Sequence, residues 1–409
     1  MTDRELDIVL LGATGFVGSL TAGHLAEHAG EGVRIGLAGR SASRLARLRD
    51  DLGEAASDWP LIEVDASDAA GLRAMASRTR VVVTTVGPYA RDGRLVVRAC
   101  AEEGTHYADL TGEPLFVHWS VDTATARARQ TGAKIVHSCG FDSVPSDLGV
   151  LLLADRADAD GEGTLTDTTL VVRSLRGGIS GGTLDSARQM AITWRKDPAA
   201  RRLLADPHLL SPRRDEEPEG AQEKGSLLPA EREPGTGRWL GPFVMAAHNA
   251  RVVRLSNTLT DWSYGRGLRY RELIELGTGP RGVLRAGGLS VGMGVLFAGL
   301  AWKPTRTLLD RLLPAPGEGP DAESRATGRF RLDITTTTTT GARYRAVVAA
   351  DHDPGYDGTA IMLGESALSL ARDDLPERAG VLTPASAMGE ALVGRLRAQG
   401  FTLTLERLG

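Results

Sequence analysis

The chain has 409 residues, 42% of them hydrophobic and 24% charged, a globular balance that excludes disordered and fibrous classes, at a length that predicts two domains. Its formal net charge of −4 argues against a nucleic-acid-binding surface, which needs a basic excess. Two cysteines, Cys100 and Cys139, support neither a disulfide framework nor a Cys-based zinc site, and the opening MTDRELDIVLLG lacks the build of a signal peptide, so no metal and a cytoplasmic location are expected.

From Asp7 to about Ser138, short apolar runs alternate with helical patterns: Asp7–Leu11, Val33–Ala38, Leu61–Val64, Arg80–Val86 and Ala133–His137. Such alternation predicts right-handed βαβ units and a parallel sheet. Immediately after the first run stand Gly12, Ala13, Thr14, Gly15, Phe16, Val17 and Gly18, which open an amphipathic helix and so occupy the setting that a dinucleotide-binding GxxGxxG motif requires. Gly12 serves the tight turn, Gly15 the close approach of a pyrophosphate and Gly18 the packing of helix on strand. The pyrophosphate would meet free N–H groups and the positive end of the helix dipole.

The second run ends in Gly39-Arg40-Ser41, with no acid where one would hold the ribose hydroxyls of NAD. Arg40 offers a planar fork to a 2′-phosphate, Ser41 a hydroxyl and Arg44 a further charge, so NADPH is the expected cofactor. Only four of the 48 basic residues are lysine, a compositional skew that makes Arg44 the weaker candidate. Asp65, after the third run, and Gly87 and Pro88, after the fourth, complete the expected cofactor contacts.

Farther along, the β-branched run Thr166–Val172, a glycine-rich turn at Gly177–Gly182 and a helical pattern from Leu184 predict a second α/β domain beginning near Val150. Asp206–Arg238, dense in proline and charge, is expected to be an exposed loop or flexible insertion. Ala286–Trp302 runs 17 residues without a charge, short of the roughly 20 that span a membrane comfortably. Buried packing is the leading expectation for it, with an interfacial or lipid-facing helix, an acyl tunnel, a homodimer contact and peripheral membrane association left open. Thr335–Thr340, within Phe330–Ala350, predicts a strand with one solvated face.

Ligands of open parallel sheets bind beyond the carboxyl ends of the strands, which selects three segments for chemistry. Thr84–Tyr89 brings Tyr89, a candidate proton donor whose alternative is simple packing over the loop. His106–Glu113 brings two carboxylates that either orient a substrate or cap a helix. Ser138–Asp147 ends a strand and starts a helix, where free amides near Ser143 could hold a developing oxyanion and Asp142 is the reserve donor. Cys139 lacks an activating base and is expected to be a small buried residue.

The combination GATGFVG, VGPYARDGRLVVRACAEEGTHYADLTGE and CGFDSVPSDLG, followed by GGISGGTLDSA, LPAPGEGP, DPGYDGTAIMLGESAL and GVLTPASAMGEAL, resembles the saccharopine dehydrogenase-like oxidoreductases, specifically their trans-acting enoyl reductase branch. The resemblance implies an N-terminal Rossmann parallel sheet (1–149), an inserted α/β substrate domain containing a mixed sheet (150–365) and C-terminal helices returning to the first domain (366–409). It further implies NADPH-dependent reduction of an α,β-unsaturated acyl chain on the acyl carrier protein of a polyketide synthase. The basic stretch Trp194–Arg202 offers charge to such a carrier, with a solvated helix face as its plainer reading. Two other functions stay open: saccharopine-type imine reduction, hinted at by Arg173 and Arg176, and a redox-inert NADP(H)-binding regulator.

Overall fold

The computed structural model describes residues 4–177, 181–218, 230–302 and 320–408. The chain first lays down β1 (Leu6–Leu11), β2 (Ile35–Gly39), β3 (Leu61–Glu63), β4 (Thr79–Thr84), β5 (His106–Asp109) and β6 (Lys134–Val136), with helices between them. Helix Val144–Ala159 leads away to β7 (Leu165–Arg176), β8 (Glu231–Arg232), β9 (Trp239–Pro242), β10 (Arg269–Glu275), β11 (Arg329–Thr338) and β12 (Arg343–Ala350). The return brings helix Asp357–Arg372, then β13 (Gly380–Leu382) and β14 (Thr402–Leu408).

These strands form two sheets of seven, in the orders β13-β6-β5-β4-β1-β2-β3 and β14-β12-β11-β7-β10-β9-β8. The first is parallel throughout, with Ile8 opposite both Ile35 and Val81. Its strands are apolar on both faces, β1 being buried along its whole length, as a sheet covered by helices on each side requires. The chain order reverses between β1 and β4, the switch point at which α/β sheets open a ligand crevice. The second sheet is mixed: β7 pairs with β10 in parallel and with β11 in antiparallel sense.

One apolar core runs through both layers, from Ile8, Leu10 and Val83 to Val172, Ile334 and Tyr344. Phe141, beyond β6, meets Phe330 of β11 edge-on with ring centroids 4.7 Å apart. Helices Val144–Ala159 and Asp357–Arg372 are buried along most of their length, the first packing mainly on β12, β11 and β7 of the second sheet and the second on β4, β5 and β1 of the first.

Several expectations need amending. Within Asp206–Arg238, Leu209 and Leu210 are buried in the core beside the helix Pro114–Thr131, and Glu231–Arg232 forms an edge strand, so part of this stretch is built in; residues 219–229 lie outside the described ones. The threonine run does form a strand with two unlike faces: Thr336 and Thr338 are buried on one, the Thr336 hydroxyl 2.7 Å from that of Thr168 across the strand pair, while Thr335 and Thr337 are half-buried on the other. Residues 366–409, expected as helices, also supply β13 to the first sheet and β14 to the second. The charge-free stretch lies in the helix Gly279–Ala301 except for its last residue; Leu284, Val291 and Val295 of the helix, and Trp302 just beyond it, are in the open. Buried packing accounts for Ala286 but not for these. Among the described residues no helix is long and apolar enough to cross a membrane.

Candidate functional site

The crevice begins where β1 ends. Gly12 has φ +86°, and a Cβ there would lie 2.7 Å from Val86 Cγ2 and 2.8 Å from Thr85 Oγ1. At Gly18 a Cβ would come within 2.2 Å of Gly12 O. These glycines let the turn fold back on itself, while Thr14 and Gly15 stay exposed, Phe16 and Val17 half-buried and Ala13 buried. Helix Phe16–His28 has no side-chain cap at Gly15 and no acid in its first turn. Among the described residues, then, no acid of the helix's own first turn and no cap side chain meets its leading amides, the arrangement that accepts a phosphate diester. The cradle fits the pyrophosphate of a dinucleotide.

Beyond β2, Arg40 and Arg44 are exposed. Ser41 caps the helix Ala42–Leu52, its Oγ accepting from Arg44 N at 3.4 Å. Asp65 accepts from the amide and hydroxyl of Ser67 at 2.8 and 2.6 Å. Those bonds, with a smaller contribution from the charge of Arg40, hold its carboxyl below the ordinary range. Arg40 and Asp65 therefore share one corner of the crevice, the cation on the side of the glycine turn.

At the ends of β4 and β5 the chain is tightly satisfied. Gly87 is exposed, and Pro88 caps the helix Tyr89–Glu103. The Tyr89 hydroxyl is buried, donates to Thr84 O and accepts from Leu110 N, each at 3.2 Å. Burial, with the nearby Asp109 charge, pushes its pKa well above the ordinary value. Glu113 caps the helix that Tyr89 begins, its two oxygens accepting from Tyr89 N and Ala90 N at 2.9 Å. Asp109, fully buried, accepts from Tyr107, Thr111 N and Ser138 N and lies 2.7 Å from His137 Nδ1. Both carboxylates expected to orient a substrate or cap a helix thus fix the loops around the crevice.

The turn after β6 holds the remaining candidates. Cys139 is buried, its thiol pushed far up by desolvation. Ser138 has φ +64°, donates to Thr111 O at 2.7 Å and lies 3.0 Å from His248 Nε2. Burial holds His248 down to about 3, so its ring is neutral, and its buried Nδ1 has no hydrogen-bond partner among the described residues. The amides of Ser143 and Val144 donate to Gly140 O at 3.1 and 2.9 Å. Ser143 is buried and Asp142 half-buried at the crevice edge.

Beneath that turn lies a polar cluster that the sequence does not announce. Ser143 Oγ donates to Asn249 Oδ1 at 2.9 Å, and Asn249 Nδ2 donates to Glu272 Oε2 at 2.9 Å. Ser146 and Tyr270 each donate to Glu272 Oε1 at 2.7 Å. Burial pushes the Glu272 carboxyl up to about 7, against the pull of these three donors and with a push from the Asp142 charge. Asn249 and Glu272 come from helix Ala246–Leu259 and β10, segments without a recognisable motif, so only their burial in the fold exposes them. Arg173, the residue hinting at a carboxylate-rich substrate, is engaged by Glu233, Glu275 and Asp333 at 2.6, 3.2 and 3.2 Å.

Comparison with known proteins places this geometry. The family model described as the saccharopine dehydrogenase NADP binding domain matches residues 8–136. A Mycobacterium tuberculosis chain provisionally named a trans-acting enoyl reductase is 51% identical over 418 residues, covering 100% of this chain and 99% of its own. The trans-acting enoyl reductase of Mycobacterium ulcerans is 47% identical over 418 residues, covering 99% of both chains. Among solved structures, apo histidine-tagged saccharopine dehydrogenase (L-Glu forming) from Saccharomyces cerevisiae shares the fold, with a TM-score of 0.55 at 15% identity over 99% of this chain and 100% of that one. With a glycine cradle at the switch point of its parallel sheet and relatives matched from end to end, the chain belongs to the saccharopine dehydrogenase-like oxidoreductases, in the branch of the trans-acting enoyl reductases.

Proposed function

We propose that this chain uses NADPH to reduce the carbon–carbon double bond of an α,β-unsaturated acyl thioester, delivered on the acyl carrier protein of a polyketide synthase. The observation that carries the reading is the 51% identity to a relative of that name over 100% of this chain, the second sheet included. Two features support it. The exposed Arg40 stands where a 2′-phosphate would lie, and no acid takes its place. Arg173 is bound by three carboxylates of the chain, which weighs against imine reduction on a substrate rich in carboxylates.

NADPH, when bound, supplies the hydride that reaches the β-carbon. The chain's own residues then have two tasks. One is to hold the charge that develops on the thioester oxygen, for which the start of helix Val144–Ala159 offers a positive dipole end. Its amides at Ser143 and Val144 would share themselves between that oxygen and Gly140 O. The other is to protonate the α-carbon. Asp142 supports this role better than Tyr89 by exposure, because its side chain is half-buried whereas the Tyr89 hydroxyl is enclosed; as its charge bears on Glu272, it would take up a proton from water before passing it to the α-carbon. We therefore assign the proton to Asp142 and a positioning role to Tyr89.

The test is NADPH oxidation by the purified chain with a 2-enoyl thioester and, separately, with amino acid and keto acid pairs. Turnover of the thioester alone is expected. Turnover of the amino acid pairs alone would move the chain to imine reduction, and tight NADPH binding without any turnover would make it a regulator.

A further inference from the structure

Arg325 lies against the helix that follows the glycine turn, although it belongs to the segment that precedes β11. Its short helix, Ala322–Ala326, is capped by Asp321, which accepts from Ser324 N at 2.8 Å. The turn that follows is fixed: Gly328 N donates to Arg325 O at 2.8 Å, and a Cβ at Gly328 would lie 2.3 Å from Asp353 Cα. From this base the guanidinium reaches the Phe16 ring, with Cζ 5.3 Å from its centroid. Phe16 is the first residue of the uncapped helix and packs edge-on against Tyr356, centroids 5.0 Å apart.

The bonding of Arg325 is lopsided. Nε donates to Asp357 and Nη1 to Pro320 O, both at 2.9 Å. Nη2 has no hydrogen bond among the described residues, although the side chain is only 15% exposed. Two helices begin on either side of it, Phe16–His28 and Asp357–Arg372. The second carries its own acid, Asp357, in its first turn; the first carries none. A half-buried cation bonded to the acid of one helix start, with an arm left over beside a helix start that lacks an acid, is placed to meet an anion supplied from outside.

We infer that Arg325 is a cofactor-binding residue, whose free arm meets the pyrophosphate of the dinucleotide seated on the glycine turn, so that a segment of the second sheet's layer closes over the coenzyme. The inference rests on the cofactor reading above. It explains why Phe16, rather than a small residue, opens the helix: its ring is the platform on which the guanidinium lies.

The test is binding, not turnover. Fluorescence titration of NADPH and competition by adenosine 2′-monophosphate, which lacks the pyrophosphate, are compared for the wild-type chain, Arg325→Gln and Arg325→Lys. Loss of one charge-assisted contact should raise the Kd for NADPH about tenfold in Arg325→Gln, with a shallower salt dependence and partial recovery in Arg325→Lys. The affinity for adenosine 2′-monophosphate should not change, whereas Arg40→Ala should weaken both ligands. Equal NADPH affinity in Arg325→Gln and wild type overturns the inference, as does a parallel loss of both ligands in Arg325→Gln, which would mark general damage. A wild-type chain that binds neither ligand removes the cofactor reading itself, and the role of Arg325 with it.

Discussion

The two sheets shape their polar regions by opposite means. At the end of the parallel sheet the chain presents backbone: glycines, an uncapped helix start and few side chains. Under the crevice, the mixed sheet and helix Ala246–Leu259 present side chains, with Glu272, Asn249, Tyr270, Ser143 and Ser146 satisfying one another in a buried cluster. A backbone surface fails when atoms are added to it. A side-chain cluster fails when a charge or a donor is taken away.

Gly18→Ala tests the first half of that contrast most severely. Its Cβ would lie 2.2 Å from Gly12 O, so we expect a loss of about 2 kcal/mol of stability by urea unfolding and no measurable NADPH binding. A variant that binds NADPH like wild type would show that the cradle is not tight. Next in size, Asp142→Asn should lower kcat about 100-fold with KM little changed, the usual scale for removing a general acid. Tyr89→Phe, by contrast, should keep its turnover and lose about 1 kcal/mol of stability. The reverse pattern would return the donor role to Tyr89.

The second half is read through pH. The Glu272 carboxyl is raised from its ordinary 4.5 to about 7, so the folded chain holds a proton that the unfolded chain gives up across that interval. Its contribution to stability is full below the interval and declines as pH climbs through it. Asp147, raised to about 6, acts with the same sign, and His248, lowered to about 3, acts with the opposite one. The difference between wild type and Glu272→Gln isolates Glu272. Denaturation midpoints at a series of pH values should fall less steeply in the variant, and identical slopes would mean that Glu272 stays ionised. Smallest of all, Leu284→Ser, on a side chain 75% exposed, should change stability by no more than about 0.5 kcal/mol. A shift in sedimentation would instead reveal a partner that covers this helix.

How far the sequence foretells each region follows from the same contrast. A glycine turn that must fold between a strand and a helix leaves a local trace, so Gly12 to Gly18 and Arg40 can be read without coordinates. The parallel order of β1 to β6 follows from alternation alone. Asn249 and Glu272 leave no such trace, since what makes them special is that they meet Ser143 and Ser146 from distant parts of the chain. Leu209 and Leu210 sit in a proline-rich stretch whose composition suggests exposure, and only their packing in the core reveals otherwise. The edge strand β13 is three residues long, too brief for any period to register, and β14 hides at the end of a helical pattern.

Those two late strands bear on how the molecule is made. β13 borders the first sheet beside β6, and β14 borders the second along β12, from Arg343 opposite Leu408 to Ala349 opposite Thr402. During synthesis both β6 and β12 must wait with bare edges until residues 380–408 leave the ribosome. A nascent chain stalled before that point offers two unpaired rims to its neighbours.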